Sequence, residues 1–238
     1  MRHALILAAG LGQRMRPLTD HTPKPLLPVG GKPLIEWHLQ RLAAAGVHYV
    51  VINTSHLAEQ FPQALGDGSR WGLRIRYAYE GATPLETGGG MLNALPLLGS
   101  APFMVVSGDI FCDADLAALP VEPSGLAHLL MVDNPPHHPD GDFALDAQGI
   151  LHEHGEPRLT YSGIGVFRPQ LVQHWRTAIG DAPAAQAAPP SFKLAPLLRA
   201  AMADRAVSGA RHGGCWTDVG TPARLQQIDA ELRAGRHG

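Results

Sequence analysis

Apolar runs too short to be helices recur along the chain, and segments of a different periodicity separate them. The runs fall at residues 3–9, 47–54, 73–80, 103–108 and 125–133. Between them, segment 33–45 carries Ile35, Leu39 and Leu42 at helical spacing and stops at Gly46. Segment 89–97 reads as a further helix, and 57–65 as a weaker one that Pro62 interrupts. Strand, helix and strand at this spacing build right-handed crossovers, so the expected fold class is α/β with a mainly parallel sheet flanked by helices. Past residue 140 the runs shorten, to 143–146 and 161–167, which predicts a small appended β layer. Residues 177–191, TAIGDAPAAQAAPPS, are rich in alanine and proline and read as a mobile surface loop rather than a linker. A final helix is expected over 221–235: Thr221 caps it, Pro222 takes the first turn, and Leu225, Ile228 and Leu232 face inward. No internal repeat is visible.

Composition narrows the function. Apolar residues make up 45% and charged residues 17%, which suits a packed core and argues against disorder. Nineteen basic against twenty-one acidic residues leave a net charge of −2, so non-specific nucleic-acid binding has no electrostatic support. The apolar run behind Arg2 and His3 spans roughly seven residues, too short for the core of a signal peptide. Nothing approaches the roughly 20 apolar residues of a membrane span, and a cytoplasmic location is expected. Cys112 and Cys215 are too few for a disulfide scaffold or a four-cysteine zinc site, and read as reduced core thiols.

The chemistry is expected just after the first strand, because ligands of an open parallel sheet sit beyond the carboxyl ends of its strands. There the chain reads LAAGLGQRMRPLTDHTPKPLLPVGGKPLI. Gly10 and Gly12 let backbone N–H groups approach an anion closely. Arg14 and Arg16 supply forked donors suited to phosphate oxygens, and Lys24 is boxed between Pro23 and Pro25, which stiffens its backbone. The dinucleotide fingerprint fails, because Met15 stands where it needs a third small residue. The P-loop fails too, because Lys32 is followed by Pro33. The competing reading, a turn with solvated cations, does not account for glycines, arginines and a boxed lysine gathered behind a buried strand.

That stretch resembles the signature of the nucleoside-diphosphate-sugar pyrophosphorylases, the sugar-1-phosphate nucleotidyltransferases. The likeness continues through PLETGGG (84–90), VVSGD (105–109), YSGIGVF (161–167) and WTDVGTPARL (216–225), and so covers almost the whole chain. The fold it implies is a Rossmann-like nucleotidyltransferase sheet. Residues 1–238 would form a single domain, with a nucleotide-binding half over about 1–110 and a sugar-phosphate-binding half over about 111–225. Further likeness in GLAHLLMVDNPPHHPDGDF (125–143) and FKLAPLLRAAM (192–202) is to members that join UTP to N-acetylmuramate 1-phosphate in peptidoglycan recycling. The alternatives are glucose 1-phosphate with UTP or dTTP, mannose 1-phosphate with GTP, and a non-catalytic regulatory sensor of nucleotide sugars.

Residue roles follow from the resemblance. Ala8, Gly10, Gly12, Gln13 and Arg14 would bind the nucleotide, with Arg14 and Lys24 as the catalytic cations. Glu80, Thr87 and Gly88 would meet the base. Ser107, Asp142 and Gly163 would lie on the sugar side, and Asp109 and Asp218 would hold Mg²⁺. Physical chemistry supports that last pair, since Mg²⁺ takes hard oxygen ligands, commonly one or two carboxylates plus substrate phosphates. A strand-terminal aspartate is more often a cap or turn former, but Ile110 and Phe111 after Asp109 do not begin a helix. The reaction needs no general base, because the attacking phosphate oxygen is already anionic. The absence of a serine–histidine or cysteine–histidine arrangement is therefore expected. Two departures stand out: Ser107 replaces an asparagine, and HGEPRLTYSG lacks the lysine of a Glu-Lys-Pro segment, leaving Arg158 as the substitute. His137 and His138 beside Asp140 and Asp142 imitate a transition-metal site, but adjacent histidines diverge and the passage reads as loop. No second, acyltransferase activity is expected, and the protein is expected to be a monomer.

Overall fold

The computed structural model describes residues 2–236; Met1 and residues 237–238 lie outside that span. The chain forms two compact units. The first takes Arg2–Pro84, Val106–Ala118 and the chain from Gly214; the second takes Leu85–Val105 and Leu119–Gly213.

In the first unit the opening run forms the strand His3–Leu7, whose Ala4, Leu5 and Ile6 are wholly buried. A strand covered on both faces must be apolar throughout, which is why it reads as a run and not as an alternation. It pairs in parallel with Tyr49–Thr54, and that strand with Arg74–Tyr79. The helix Leu34–Ala44 crosses between the first two strands and buries Leu34, Ile35, His38, Leu39 and Leu42. The next helix covers only Gln60–Leu65, shorter than its pattern suggested, because Leu57 takes a φ of 51° and Pro62 is tolerated only near a first turn. Ile110–Cys112 and Trp216–Asp218 form a short antiparallel pair. The last helix, Pro222–Arg233, is capped by Thr221, whose hydroxyl accepts from the Arg224 N–H at 3.3 Å. Leu225 and Ile228 pack with Met15, Leu27, Val29, Leu34, Phe111 and Val219 in one cluster, with Leu232 at its edge.

The second unit is mixed. Arg158–Phe167 pairs antiparallel with Ala127–Val132, which pairs in parallel with Val207–Arg211. Phe143–Leu145 and Leu151–His152 form the small β layer against the start of Arg158–Phe167. The helix expected at 89–97 starts earlier and spans Glu86–Leu98, winding three glycines into its first turns. The alanine-proline stretch lies at the surface. The helix Trp175–Ile179 enters it, a single turn at Pro183–Gln186 follows, and Trp175 stacks on Phe192 at 4.8 Å. Mixed, mainly parallel pairing flanked by helices, with small antiparallel sheets added, is the class expected from the sequence. No helix among the described residues is long and apolar enough to cross a membrane.

Candidate active site

The loop after the first strand is anchored by a plug. Met15, which spoils the dinucleotide fingerprint, is fully buried in the cluster beneath the loop. Gly12 has a φ of 63°, and a methyl group on it would lie 2.8 Å from Thr19 Cγ2, so both conformation and space call for glycine. The Thr19 hydroxyl donates to the Gly12 carbonyl at 2.8 Å and closes the turn. With Met15 inward, Gln13 and Arg14 of the same short turn are exposed. Arg16 pairs instead with Asp20 at 3.2 Å, both side chains largely solvated.

Ala8, Asn53 and Glu80 form a polar relay across the ends of the three parallel strands. The Ala8 N–H donates to Asn53 Oδ1 at 2.5 Å, and Asn53 Nδ2 donates to Glu80 Oε1 at 2.5 Å. Asn53 and Glu80 are 3% and 5% exposed, so Glu80 is a buried partner of Asn53 and not a solvent-facing carboxylate.

Lys24 sits in the turn Lys24–Leu26, only 8% exposed, and its Nζ donates to Asp109 Oδ2 at 2.7 Å. A buried ammonium requires such a partner. Asp109 follows the strand Phe103–Ser107, and Ser107 is half-buried at that strand's end. The Asp109 carbonyl accepts from the Val219 N–H at 2.8 Å, while Asp218 lies opposite Ile110 in the ladder. The backbones of Asp109 and Asp218 therefore occupy adjoining rungs. His38, wholly buried, donates from Nε2 to the Ile110 carbonyl at 2.9 Å and steadies the same rung from the helix side. Burial pushes its imidazole down to about 4, so it is neutral at physiological pH.

Asp218 is also paired. Arg224 Nη1 donates to its Oδ1 at 2.8 Å, with the two side chains 18% and 23% exposed. Gly220 marks where these groups meet the first loop. A methyl group there would lie 2.9 Å from Asp218 Oδ2 and 3.3 Å from Arg14 Nη2, and would collide with Arg224 Nη2. Loop cation, strand carboxylate and helix cation thus converge on one point. Asp109 and Asp218 are hard-oxygen donors of the type Mg²⁺ takes, and their backbones lie on adjoining rungs.

The remaining expected residues lie in the second unit. Thr87 is exposed near the start of Glu86–Leu98. Gly88 is buried, and its N–H donates to the Phe192 carbonyl at 3.0 Å. Asp142 accepts from the Tyr161 N–H at 2.8 Å and bonds His138 at 3.1 Å. Gly163, with a φ of 84°, occupies the register shift between Tyr161 and Gly165, where two added residues are accommodated. Arg158, suggested as a substitute phosphate ligand, is spent on structure: its guanidinium donates to the carbonyls of Asp140, Gly141, Asp142 and Glu153. Sequence reasoning passed over Asn53, His38 and Arg224. Asn53 had a signal, a polar residue ending an otherwise apolar run; the other two read as ordinary members of amphipathic helices.

Comparison with known proteins identifies the family. Residues 3–122 match the family described as nucleotidyl transferase. The chain is 50% identical over 95% of its length to the N-acetylmuramate alpha-1-phosphate uridylyltransferase of Neisseria meningitidis serogroup B, covering 96% of that protein. It is 36% identical to the protein of the same name from Caulobacter vibrioides, covering 96% of each chain. Its fold is similar to the crystal structure of a putative glucose-1-phosphate thymidylyltransferase from Bacillus anthracis (TM-score 0.81, 20% identity, 98% of this chain and 96% of that one). The chain belongs to the nucleotidyl transferase family, among the sugar-1-phosphate nucleotidyltransferases, as the sequence motifs implied. Members of this family act on a nucleoside triphosphate and a sugar 1-phosphate and use a divalent metal.

Proposed function

We propose that this enzyme transfers a uridylyl group from UTP to N-acetylmuramate 1-phosphate. The products are UDP-N-acetylmuramate and pyrophosphate, made in the cytoplasm as part of peptidoglycan recycling. The observation that carries the reading is end-to-end similarity, 50% over 95% of the chain, to a relative named for that reaction. The chain works as one nucleotidyltransferase domain and as a monomer.

A phosphate oxygen of the sugar attacks the α-phosphorus of UTP in line, and pyrophosphate leaves with the bonding electrons. Charge moves from the entering oxygen towards the leaving group, so catalysis is positioning and neutralisation. Backbone groups at Ala8, Gly10, Gly12 and Gln13 hold the nucleotide; Arg14 and Lys24 neutralise phosphate oxygens as the bond to pyrophosphate breaks. Asp109 and Asp218 hold Mg²⁺, which when bound supplies Lewis-acid stabilisation of the phosphate charge. Glu80 holds Asn53 and, through it, the Ala8 N–H at the start of the nucleotide loop. Thr87 and Gly88 keep their assigned role towards the base, and Ser107, Asp142 and Gly163 theirs towards the sugar.

The test pairs UTP, dTTP and GTP with N-acetylmuramate, glucose and mannose 1-phosphates and follows pyrophosphate release. UTP with N-acetylmuramate 1-phosphate is expected to be fastest. A faster reaction with any other pair would refute the assignment while leaving the family membership intact.

A further inference from the structure

Arg224 has no assigned part in the reaction, yet its guanidinium lies on Asp218 and shares the space over Gly220 with Arg14. Two guanidinium groups brought to one point repel unless an anion lies between them, and Asp218 supplies one negative charge against their two positive ones. The pair is also partly desolvated. Arg211 and Asp133 lie at a comparable 2.7 Å, but with side chains 58% and 63% exposed, where solvent cancels most of the attraction. At 18% and 23% exposure the Arg224–Asp218 contact is stronger, and the positive surplus around it is felt further. On the adjoining rung, Lys24 and Asp109 balance each other one for one.

A divalent cation arriving alone finds each carboxylate already held by a cation, with Arg14 beside one of them. A polyphosphate is favoured, since it meets surplus positive charge and gives the arginine a new partner. Resting on the assignment of Asp218 as a metal ligand, we propose that Arg224 is the resident counter-ion of that carboxylate. When the triphosphate arrives, Arg224 releases Asp218 to the divalent cation and turns its planar fork to the β- and γ-phosphate oxygens. Arg224 would thereby keep the site from filling with metal before nucleotide, and it would hold the pyrophosphate portion as that group departs. Gly220 is required because a side chain at that position would fill the space through which the guanidinium swings.

The test uses binding constants and not turnover. Mn²⁺ binding without nucleotide is read by electron paramagnetic resonance, and UTP binding in EDTA by equilibrium dialysis. The proteins are the wild type, Arg224→Gln, Arg224→Lys and Asp218→Asn. Arg224→Gln is expected to bind Mn²⁺ roughly fivefold more tightly and UTP roughly fivefold more weakly than wild type. Opposite signs are the diagnostic, because a side chain that merely supports the fold would weaken both. Arg224→Lys keeps the charge and loses the fork, so it should move both constants in the same directions by less. It carries the test if the glutamine variant fails to fold. Unchanged or weaker Mn²⁺ binding in the Arg224 variants, with Asp218→Asn still weakening it, overturns this inference alone. If Asp218→Asn leaves Mn²⁺ binding untouched, the metal assignment falls and the inference with it.

Discussion

A methyl group added to Gly10 would meet no protein atom within 4 Å, whereas one added to Gly89 would lie 2.6 Å from the Pro190 carbonyl oxygen. Both glycines belong to clusters that look alike in the sequence, G-L-G after the first strand and G-G-G in the helix Glu86–Leu98. In the loop, small residues leave backbone amides open to a ligand. In the helix they let the segment around Phe192 press against the backbone, and its carbonyl takes the N–H groups of Gly88 and Gly89. A glycine cluster signals close approach; only the structure says whether ligand or protein approaches.

The contrast can be broken most directly at the loop's cation. Lys24→Ala should cut kcat by about 10²- to 10³-fold, the usual cost of one preorganised charge partner. Its thermal midpoint should change little, because Asp109 keeps access to water at 45% side-chain exposure. Near-wild-type turnover would remove Lys24 from the catalytic set. Acid titration probes the same unit differently. Unfolded histidine binds a proton below about 6.5, but His38 in the fold does so only near 4. The contribution of His38 to stability should therefore be constant above pH 6.5 and fall by about 3 kcal/mol between 6.5 and 4. Urea unfolding of wild type and His38→Gln across that range would reveal the histidine's share, since the variant should lose that part of the slope.

The helix cluster should respond in the opposite manner to the loop. Gly89→Ala gains up to about 1 kcal/mol of helix propensity but collides with backbone that cannot yield, for a net loss of about 1–3 kcal/mol in denaturant unfolding. Gly10→Ala should leave the unfolding midpoint in place and raise KM for UTP by about tenfold, a cost near 1.4 kcal/mol. Equal loss of stability in both variants would erase the distinction.

The strands were legible because buried parallel strands must be apolar along their whole length. The last helix was legible because Thr221 and Pro222 are cap and first-turn residues for stereochemical reasons. The start of Glu86–Leu98 was not, since three glycines argue locally against helix and only the packing of Phe192 overrides that preference. Arg158 reads as a ligand cation on charge alone, and four carbonyls that converge only in the folded chain explain its position. Arg224 was missed for the converse reason. Its spacing in the helix reads as a solvated face, while the cap at Thr221 turns it onto Asp218.

The antiparallel rung joining Asp109 to Val219 has a consequence for synthesis. Arg14, Lys24 and Asp109 leave the ribosome more than a hundred residues ahead of Asp218 and Arg224. The emerging polypeptide must therefore wait, with three of these five charges in place, until its final strand is delivered and threads back beside the earlier one. Stalled or clipped products would keep much of the first unit's parallel sheet but could not complete this constellation, so incomplete copies in the cell would be idle bystanders rather than rogue consumers of nucleotide.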